Sequence, residues 1–446
     1  MKMKKRKLSI PKFIALGFAT TILTGTLLLM LPIASQSGEI TPFVDALFTA
    51  TSAVCVTGQV TLNTAAHWTY FGKTIIILLI EVGGLGFMAI IVLMFLFMKR
   101  KMSLHQRRVV ADVINADSLS DGQALIRYLI RFSLSVQAIG ALILSIDFIP
   151  RYGFLKGLYF SFFHAISAFC NAGFDLFGNS LEGFTENPFV LMTIASLIFF
   201  GGLGFIVWRD VLTFRKNRKL LLHTRLTLYT TFSILLVSIV LLGISEYQHG
   251  TFAHLPWYHQ IFNTIFMAVT PRTAGYANVN YAMVSPLAIF LTLILMFIGA
   301  SSGSTGGGIK VTTVASIALY IRSKFTERDV SFYKRSIPKN KIVKSIMILG
   351  FGISMVVVAS IILLLTETIP EGFGIEYILM EVISCFGTVG LTMGLTPNLT
   401  MIGKLVLIVV MFAGRIGLLT FFMSVGGHER ALEPSIRYPE GNILVG

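Results

Sequence analysis

Ser52-Ala-Val-Cys-Val-Thr-Gly58 decides how this chain is read, because three counterparts follow it: Ser167-Ala-Phe-Cys-Asn-Ala-Gly173, Val269-Thr-Pro-Arg-Thr-Ala-Gly275 and Ser384-Cys-Phe-Gly-Thr-Val-Gly390. Their terminal glycines are 115, 102 and 115 residues apart. Each segment follows a long apolar run, and some 24 to 28 residues after its glycine comes a second glycine cluster: Gly83-Gly-Leu-Gly86, Gly201-Gly-Leu-Gly204, Gly299 to Gly308, and Gly414-Arg-Ile-Gly417. A recurrence of this kind is the signature of a repeat architecture and takes precedence over any single motif. The repeating unit is an apolar run, a short amphipathic segment, a glycine turn and a second apolar run.

Composition identifies the solvent. Of 446 residues, 54% are hydrophobic and only 13% charged, with a mean hydropathy of +0.79. That is too much apolar surface for a water-soluble chain. A bilayer core of about 30 Å calls for roughly 20 apolar residues per helical span. Eight runs qualify, near 13-33, 74-98, 128-149, 189-208, 226-243, 285-299 (continuing, interrupted, towards 321), 342-365 and 401-425. The first run has span length and seven follow it, which argues against a cleaved signal peptide. Residues 43-53 or 376-387 are too short to cross and read as re-entrant half-helices, which survive at membrane depth only where they are buried or line water.

The net charge of +15 is a topology signal, and nucleic acid is not the partner it indicates. Of 36 Lys and Arg, 28 fall in residues 1-12, 99-131, 209-225 and 310-344. These segments alternate with mostly acidic ones carrying Glu39, Asp45, Asp175, Glu182, Glu186, Glu246, Glu367, Glu371 and Glu376. By the positive-inside rule the basic segments are cytoplasmic, as are both termini. The expectation is an all-α integral membrane protein of eight transmembrane helices and four re-entrant pore helices. Four parallel span, pore-loop, span repeats with pseudo-fourfold symmetry would surround one pore. The repeats are expected at 1-98, 99-213, 214-325 and 326-427, with a tail at 428-446.

A dehydrated alkali cation needs oxygen ligands that replace its hydration shell, and rings of backbone carbonyls provide them. Glycine permits such a backbone, because it takes positive φ freely and leaves room for the ion. The candidate ion-binding residues are Val56, Thr57 and Gly58; Asn171, Ala172 and Gly173; Thr273, Ala274 and Gly275; and Thr388, Val389 and Gly390. Only Thr388-Val-Gly390 looks like the Thr-Val-Gly of potassium channels. The run from Gly299 through Ser301, Ser302, Gly303, Ser304, Thr305, Gly306, Gly307 and Gly308 to Lys310 should break the helix, since each glycine held helical costs about 1 kcal/mol. It is not a phosphate-binding loop, because Ile309 separates Gly308 from Lys310. Arg415 is a charge near mid-span, which costs about 2.5-3.5 kcal/mol and normally faces a partner or water. Glu81, near the outer part of its span, and Glu381, at the head of the fourth half-helix, read as structural acceptors. His164 reads as a packed residue. Cys55, Cys170 and Cys385 have neither disulfide nor zinc spacing and read as small buried residues.

With these residues in place, the chain resembles the Trk/Ktr/HKT superfamily of potassium transporters, and within it the membrane subunit of bacterial Ktr systems. The resemblance covers nearly the whole chain and is carried by the four loop glycines, by Ser301-Ser-Gly-Ser-Thr-Gly-Gly-Gly-Ile-Lys310 and by Ala413-Gly-Arg-Ile-Gly417. It implies that Gly58, Gly173, Gly275 and Gly390 are K+ selectivity-filter glycines. It implies that 299-310 is an intramembrane gating loop and that Arg415 sits beside it. It also implies a homodimer with one pore per subunit, supported by the C-terminal tail, and a cytosolic ring of nucleotide-binding RCK subunits that controls the gate. Plant sodium-selective relatives replace the first glycine by serine, so Gly58 favours potassium. Na+ dependence stays open, as do two alternatives: a sodium-conducting transporter and an ion-coupled secondary transporter. Basic loops also suit anionic membrane lipids. For enzyme chemistry there is no H-E-x-x-H spacing and no nucleophile elbow.

Overall fold

A computed structural model describes residues 10–86 and 121–425. The part of the second apolar run beyond Gly86, most of the basic segments 1-12 and 99-131, and the tail 428-446 lie outside them. Helices dominate: α1 (Ile10–Leu29), α2 (Phe43–Cys55), α3 (Thr64–His67), α4 (Tyr70–Leu85), α5 (Asp121–Tyr152), α6 (Phe154–Cys170), α7 (Pro188–Gly202) and α8 (Phe205–Asn217). They continue with α9 (Leu222–His249), α10 (Trp257–Val269), α11 (Pro286–Phe297), α12 (Val311–Phe325), α13 (Lys339–Thr366), α14 (Glu376–Gly387), α15 (Met401–Ile416) and α16 (Leu418–Val425). Two-residue strands at Ser331–Phe332 and Arg335–Ser336 form a small hairpin between α12 and α13.

Within α1, α5, α9 and α13 lie stretches long and apolar enough to cross a membrane. Their outward faces keep Leu27, Leu142, Leu236 and Leu365 exposed, as a lipid-solvated surface requires. The segments α2, α6, α10 and α14 have 12 to 17 residues, which at about 1.5 Å per residue falls short of a 30 Å core. The half-helices expected near 43-53 and 376-387 are observed at Phe43–Cys55 and Glu376–Gly387.

One capping device starts α4, α7, α11 and α15, the apolar helix of each repeat after its glycine turn. Thr69 Oγ1 accepts from Gly72 N at 3.3 Å, Asn187 Oδ1 from Val190 N at 3.3 Å, Ser285 Oγ from Ala288 N at 3.1 Å and Thr400 Oγ1 from Gly403 N at 3.2 Å. Each side chain satisfies one of the N–H groups that a helix start leaves unpaired. The same chemistry at the same place in four segments gives the repeat a structural basis beyond its glycines.

Two expectations need correction here. The runs 189-208 and 401-425 are not single straight spans: α7 and α8 meet at 94°, and α15 and α16 at 112°. The cause is Gly204 at φ 92° and Gly417 at φ 88°, a backbone that no right-handed helix contains. The break expected in the third repeat is also present, between Phe297 and Val311. By contrast, the first cluster residues Gly83, Gly201 and Gly414 act in packing. A Cβ on any of them would land on a half-helix carbonyl, that of Val54, Phe169 or Phe386 respectively. Small residues let helix backbones approach in this way.

Candidate functional site

The four glycine turns share a backbone conformation. Val56, Asn171, Thr273 and Thr388 have φ of 58°, 61°, 69° and 51°, and the glycines two residues later, Gly58, Gly173, Gly275 and Gly390, have φ of 89°, 69°, 77° and 102°. The intervening Thr57, Ala172, Ala274 and Val389 stay at negative φ. Alternating the sign of φ turns successive carbonyls to one side, whereas an ordinary strand points them to opposite sides. Positive φ on β-branched Val56, Thr273 and Thr388 is strained, and tertiary packing has to hold it.

Hydroxyls behind the turns supply part of that packing. Gly58 N donates to Ser52 Oγ at 3.1 Å and Gly390 N to Ser384 Oγ at 2.9 Å. In the second turn Ser167 Oγ donates to Phe174 O at 2.9 Å, and in the third Thr270 Oγ1 donates to Tyr276 O at 2.5 Å. Reading for ion ligands missed these hydroxyls, although a serine six residues before the glycine stands in three of the four quoted segments. The third repeat has Val269 at that place and uses Thr270, five residues before Gly275.

The turns face one another in sequence. A Cβ on Gly58 would strike the carbonyl oxygen of Ala172, one on Gly173 that of Ala274, one on Gly275 that of Val389, and one on Gly390 that of Thr57. The contacts run first to second, second to third, third to fourth and fourth back to first. Four backbone carbonyls and four glycines therefore close a ring. The side chains of Asn171 and Thr273, 3.1 Å apart, link its second and third members.

Beneath the ring lies the 299-310 loop. Added Cβ atoms on Gly306 and Gly307 would meet Thr273 Oγ1 and Thr388 Oγ1, which places both glycines directly against the first residues of two turns. The loop is tied laterally to the second repeat: Ser301 N donates to Gly202 O at 3.1 Å, Thr305 N to Gly201 O at 3.3 Å, Thr305 Oγ1 to Phe169 O at 3.2 Å, and Phe205 N to Gly303 O at 2.9 Å. Ser302 and Thr312 share a hydroxyl bond of 2.9 Å, and Ser304 Oγ donates to Ser301 O at 2.7 Å. A single bridge pairs Ile298 with Ile309, so Gly299 and Gly308 pack against each other across its neck. Lys310 Nζ folds back onto Gly306 O at 2.6 Å and Gly307 O at 3.3 Å. Arg415 donates from Nη1 to Thr305 O, and from Nη2 to Gly83 O and, at 3.3 Å, to Gly84 O. It thus joins the loop to the end of α4 across three repeats.

Other polar residues expected to be structural have identifiable partners. Glu81 lies eleven residues into α4, deeper than its reading from the 74-98 run placed it, because the helix already starts at Tyr70. It accepts from Gln137 Nε2 at 2.9 Å and from Cys170 Sγ at 3.3 Å. Glu381 sits in the middle of α14 and not at its head, and is fully buried. His164 is fully buried, stacks on Phe177 at 4.3 Å and takes a hydrogen bond from Leu176 N at 3.2 Å. The three cysteines are free and buried.

Residues 9–426 match the TrkH family, described as a cation transport protein. A potassium/sodium uptake protein, NtpJ, of Enterococcus hirae is 46% identical across 100% of this chain and 99% of its own length. A Ktr system potassium uptake protein B of Bacillus subtilis is 41% identical across 98% of this chain and 96% of its own. Among solved structures, the potassium transporter TrkH from Vibrio parahaemolyticus aligns with a TM-score of 0.73, covering 95% of this chain and 86% of that one at 17% identity, a likeness that carries the fold alone.

Proposed function

This chain belongs to the TrkH family of cation transport proteins and is a membrane transporter, not an enzyme, and on that premise we propose that it takes up potassium through a pore on the axis of the four glycine turns. The observation that carries the proposal is the closed ring of glycines facing the carbonyls of Thr57, Ala172, Ala274 and Val389. Carbonyls held at fixed spacing replace the hydration shell of a cation, and four repeats supply them from four directions. Each half-helix ends at its turn, so the partial negative charge of its C-terminus adds to the attraction. In this reading the chain spans the membrane eight times with both termini in the cytoplasm of a plasma-membrane system, and the segments expected as repeats are its four quarters.

The 299-310 loop and Arg415 are then the gate. The loop occupies the ion path below the ring, and the guanidinium beside it repels an arriving cation. Lys310 occupies the carbonyls of Gly306 and Gly307 that would otherwise face the pore. Relatives whose printed names place them in a Ktr system support regulation by a separate subunit, for which a cytosolic RCK ring is the fitting partner, and a homodimer is the proposed assembly. Sodium enters as a second ion to be titrated, since one relative is named for both.

Cells stripped of their own potassium systems test the proposal, expressing this chain with and without a candidate RCK partner across external potassium and sodium. Growth rescue at low potassium that changes with the partner is the expected result. Sodium flux without potassium flux under either condition would overturn it.

A further inference from the structure

The covalent chain carries the ring from the first turn to the second, third and fourth, but nothing covalent closes the fourth onto the first. At that seam Gly390 faces the carbonyl of Thr57, and one side chain reaches both loops. Glu381, nine residues before Gly390, accepts from Gln59 Nε2 at 2.6 Å, and Gln59 directly follows Gly58. The same carboxylate accepts from the hydroxyl of Thr392, two residues beyond Gly390, and from that of Thr396 at 3.0 and 3.1 Å. The other end of the Gln59 amide takes the Cys385 thiol at 2.5 Å, so its orientation is fixed from both sides. Glu381, Cys385, Gln59 and Thr396 are all buried.

We propose that Glu381 is the positioning residue that locks the ring at its open seam, and that through this lock it sets how strongly potassium is preferred over sodium. The inference rests on the potassium-filter reading above. An amide N–H and two hydroxyls converge on the two carboxyl oxygens of Glu381, the compensation that a buried polar acceptor requires. The corresponding position elsewhere behaves differently. His164, nine residues before Gly173, takes its bond from Leu176 in its own loop. Thr49, nine before Gly58, leaves its hydroxyl without a partner. Glu381 alone of these three crosses to another repeat, and it does so where the chain itself supplies no connection. A filter that prefers the larger ion must resist closing around the smaller one, and a seam free to slide is where that resistance would fail first.

Rubidium uptake with sodium as competitor, measured on the full chain with surface expression quantified, gives the test. Glu381→Gln turns a donor toward Gln59 and the two threonines. It should lower potassium-over-sodium preference about tenfold, or ~1.4 kcal/mol, with the loss lying in apparent affinity and selectivity more than in maximal rate. The exchange Gln59→Glu with Glu381→Gln returns a carboxylate to the same seam from its other side and should recover most of the preference. Gln59→Leu removes both of its bonds to the fourth repeat, to Glu381 and from Cys385, while leaving Glu381 its two threonines, and serves if Glu381→Gln does not reach the membrane. Wild-type preference in either single variant, a loss confined to maximal rate, or no recovery in the exchanged pair would each overturn the proposal. A wild-type chain that moves no rubidium would instead remove the potassium reading on which it stands.

Discussion

Replacing Arg415 by alanine should open the pathway. Of the three carbonyls that its guanidinium reaches, Gly83 O and Gly84 O belong to α4 and anchor the arginine, whereas Thr305 O belongs to the loop beneath the ring. The tether on the loop is therefore one charge-assisted hydrogen bond, worth about 1.5–3 kcal/mol. At 1.4 kcal/mol per tenfold, its loss shifts the loop equilibrium about ten- to a hundredfold toward the displaced position. Removing the positive charge from the path has the same sign, because a cation no longer meets repulsion there. The cost of holding an arginine inside the membrane is common to both loop positions, so it does not offset this shift. Arg415→Lys keeps the charge but has no planar fork to span two repeats, and should fall between wild type and alanine. Rubidium flux into proteoliposomes, normalised to protein and measured without any cytosolic partner, reads the effect. An Arg415→Ala protein that inserts normally and conducts no more than wild type would refute the gate assignment.

Other perturbations address the ring, the loop and the frame separately. Gly275→Ser puts a side chain at φ 77° against the Val389 carbonyl; backbone strain of about 1–2 kcal/mol added to a displaced ligand should cut potassium-over-sodium preference at least tenfold, and unchanged competition by sodium would count against the ring. Gly307→Ala would push its methyl into Thr388 beneath the ring; raised flux with a smaller loss of preference than Gly275→Ser causes is expected, and lowered preference with unchanged flux would place this glycine in the filter instead. Lys404 and Asp45 form an ion pair of 2.6 Å between α15 and α2, with side chains about one-sixth exposed. Breaking it with Asp45→Asn should cost about 1–3 kcal/mol, lowering the detergent melting temperature by a few degrees, and the Asp45→Lys, Lys404→Asp exchange should recover part of the loss.

The half-helices and glycine turns were legible because their signals are local: an apolar segment too short to cross, then a glycine, four times over. The break at 299-308 was legible for the same reason, since glycine density there exceeds what a helix tolerates. The bends at Gly204 and Gly417 were not, because two or three glycines inside an apolar run serve equally as packing contacts, and only the observed φ separates the two. Positive φ at Val56, Thr273 and Thr388 was invisible in principle. β-Branched residues disfavour it, and only the surrounding ring and the hydroxyls behind it impose the conformation. The partners of Glu381 were equally hidden, because Gln59 lies 322 residues away in the chain.

The third repeat departs from the others at two places, and the departures belong together. In the first, second and fourth repeats the opening glycine of the cluster, Gly83, Gly201 or Gly414, packs onto a half-helix carbonyl, whereas Gly299 packs onto Gly307 within its own loop. The half-helix preceding this loop is also the one whose glycine lacks a serine six positions earlier. The third cluster's contacts to its neighbours fall instead on Gly306, Gly307 and Gly308, against Thr273, Thr388 and Gly387 at the ends of two half-helices. The loop then needs replacement anchors, and it takes them from the second repeat through Gly201 and Gly202 and from the fourth through Arg415. Hydrogen bonds to backbone carbonyls can be released and remade without repacking a core, as an obstruction that must reopen requires. If the loop is the proposed gate, filling it with packing residues, for example by Gly299→Ala, should impair regulation by the proposed cytosolic partner before it impairs insertion. An insertion defect that precedes any change in regulation would show that this cluster packs like the other three.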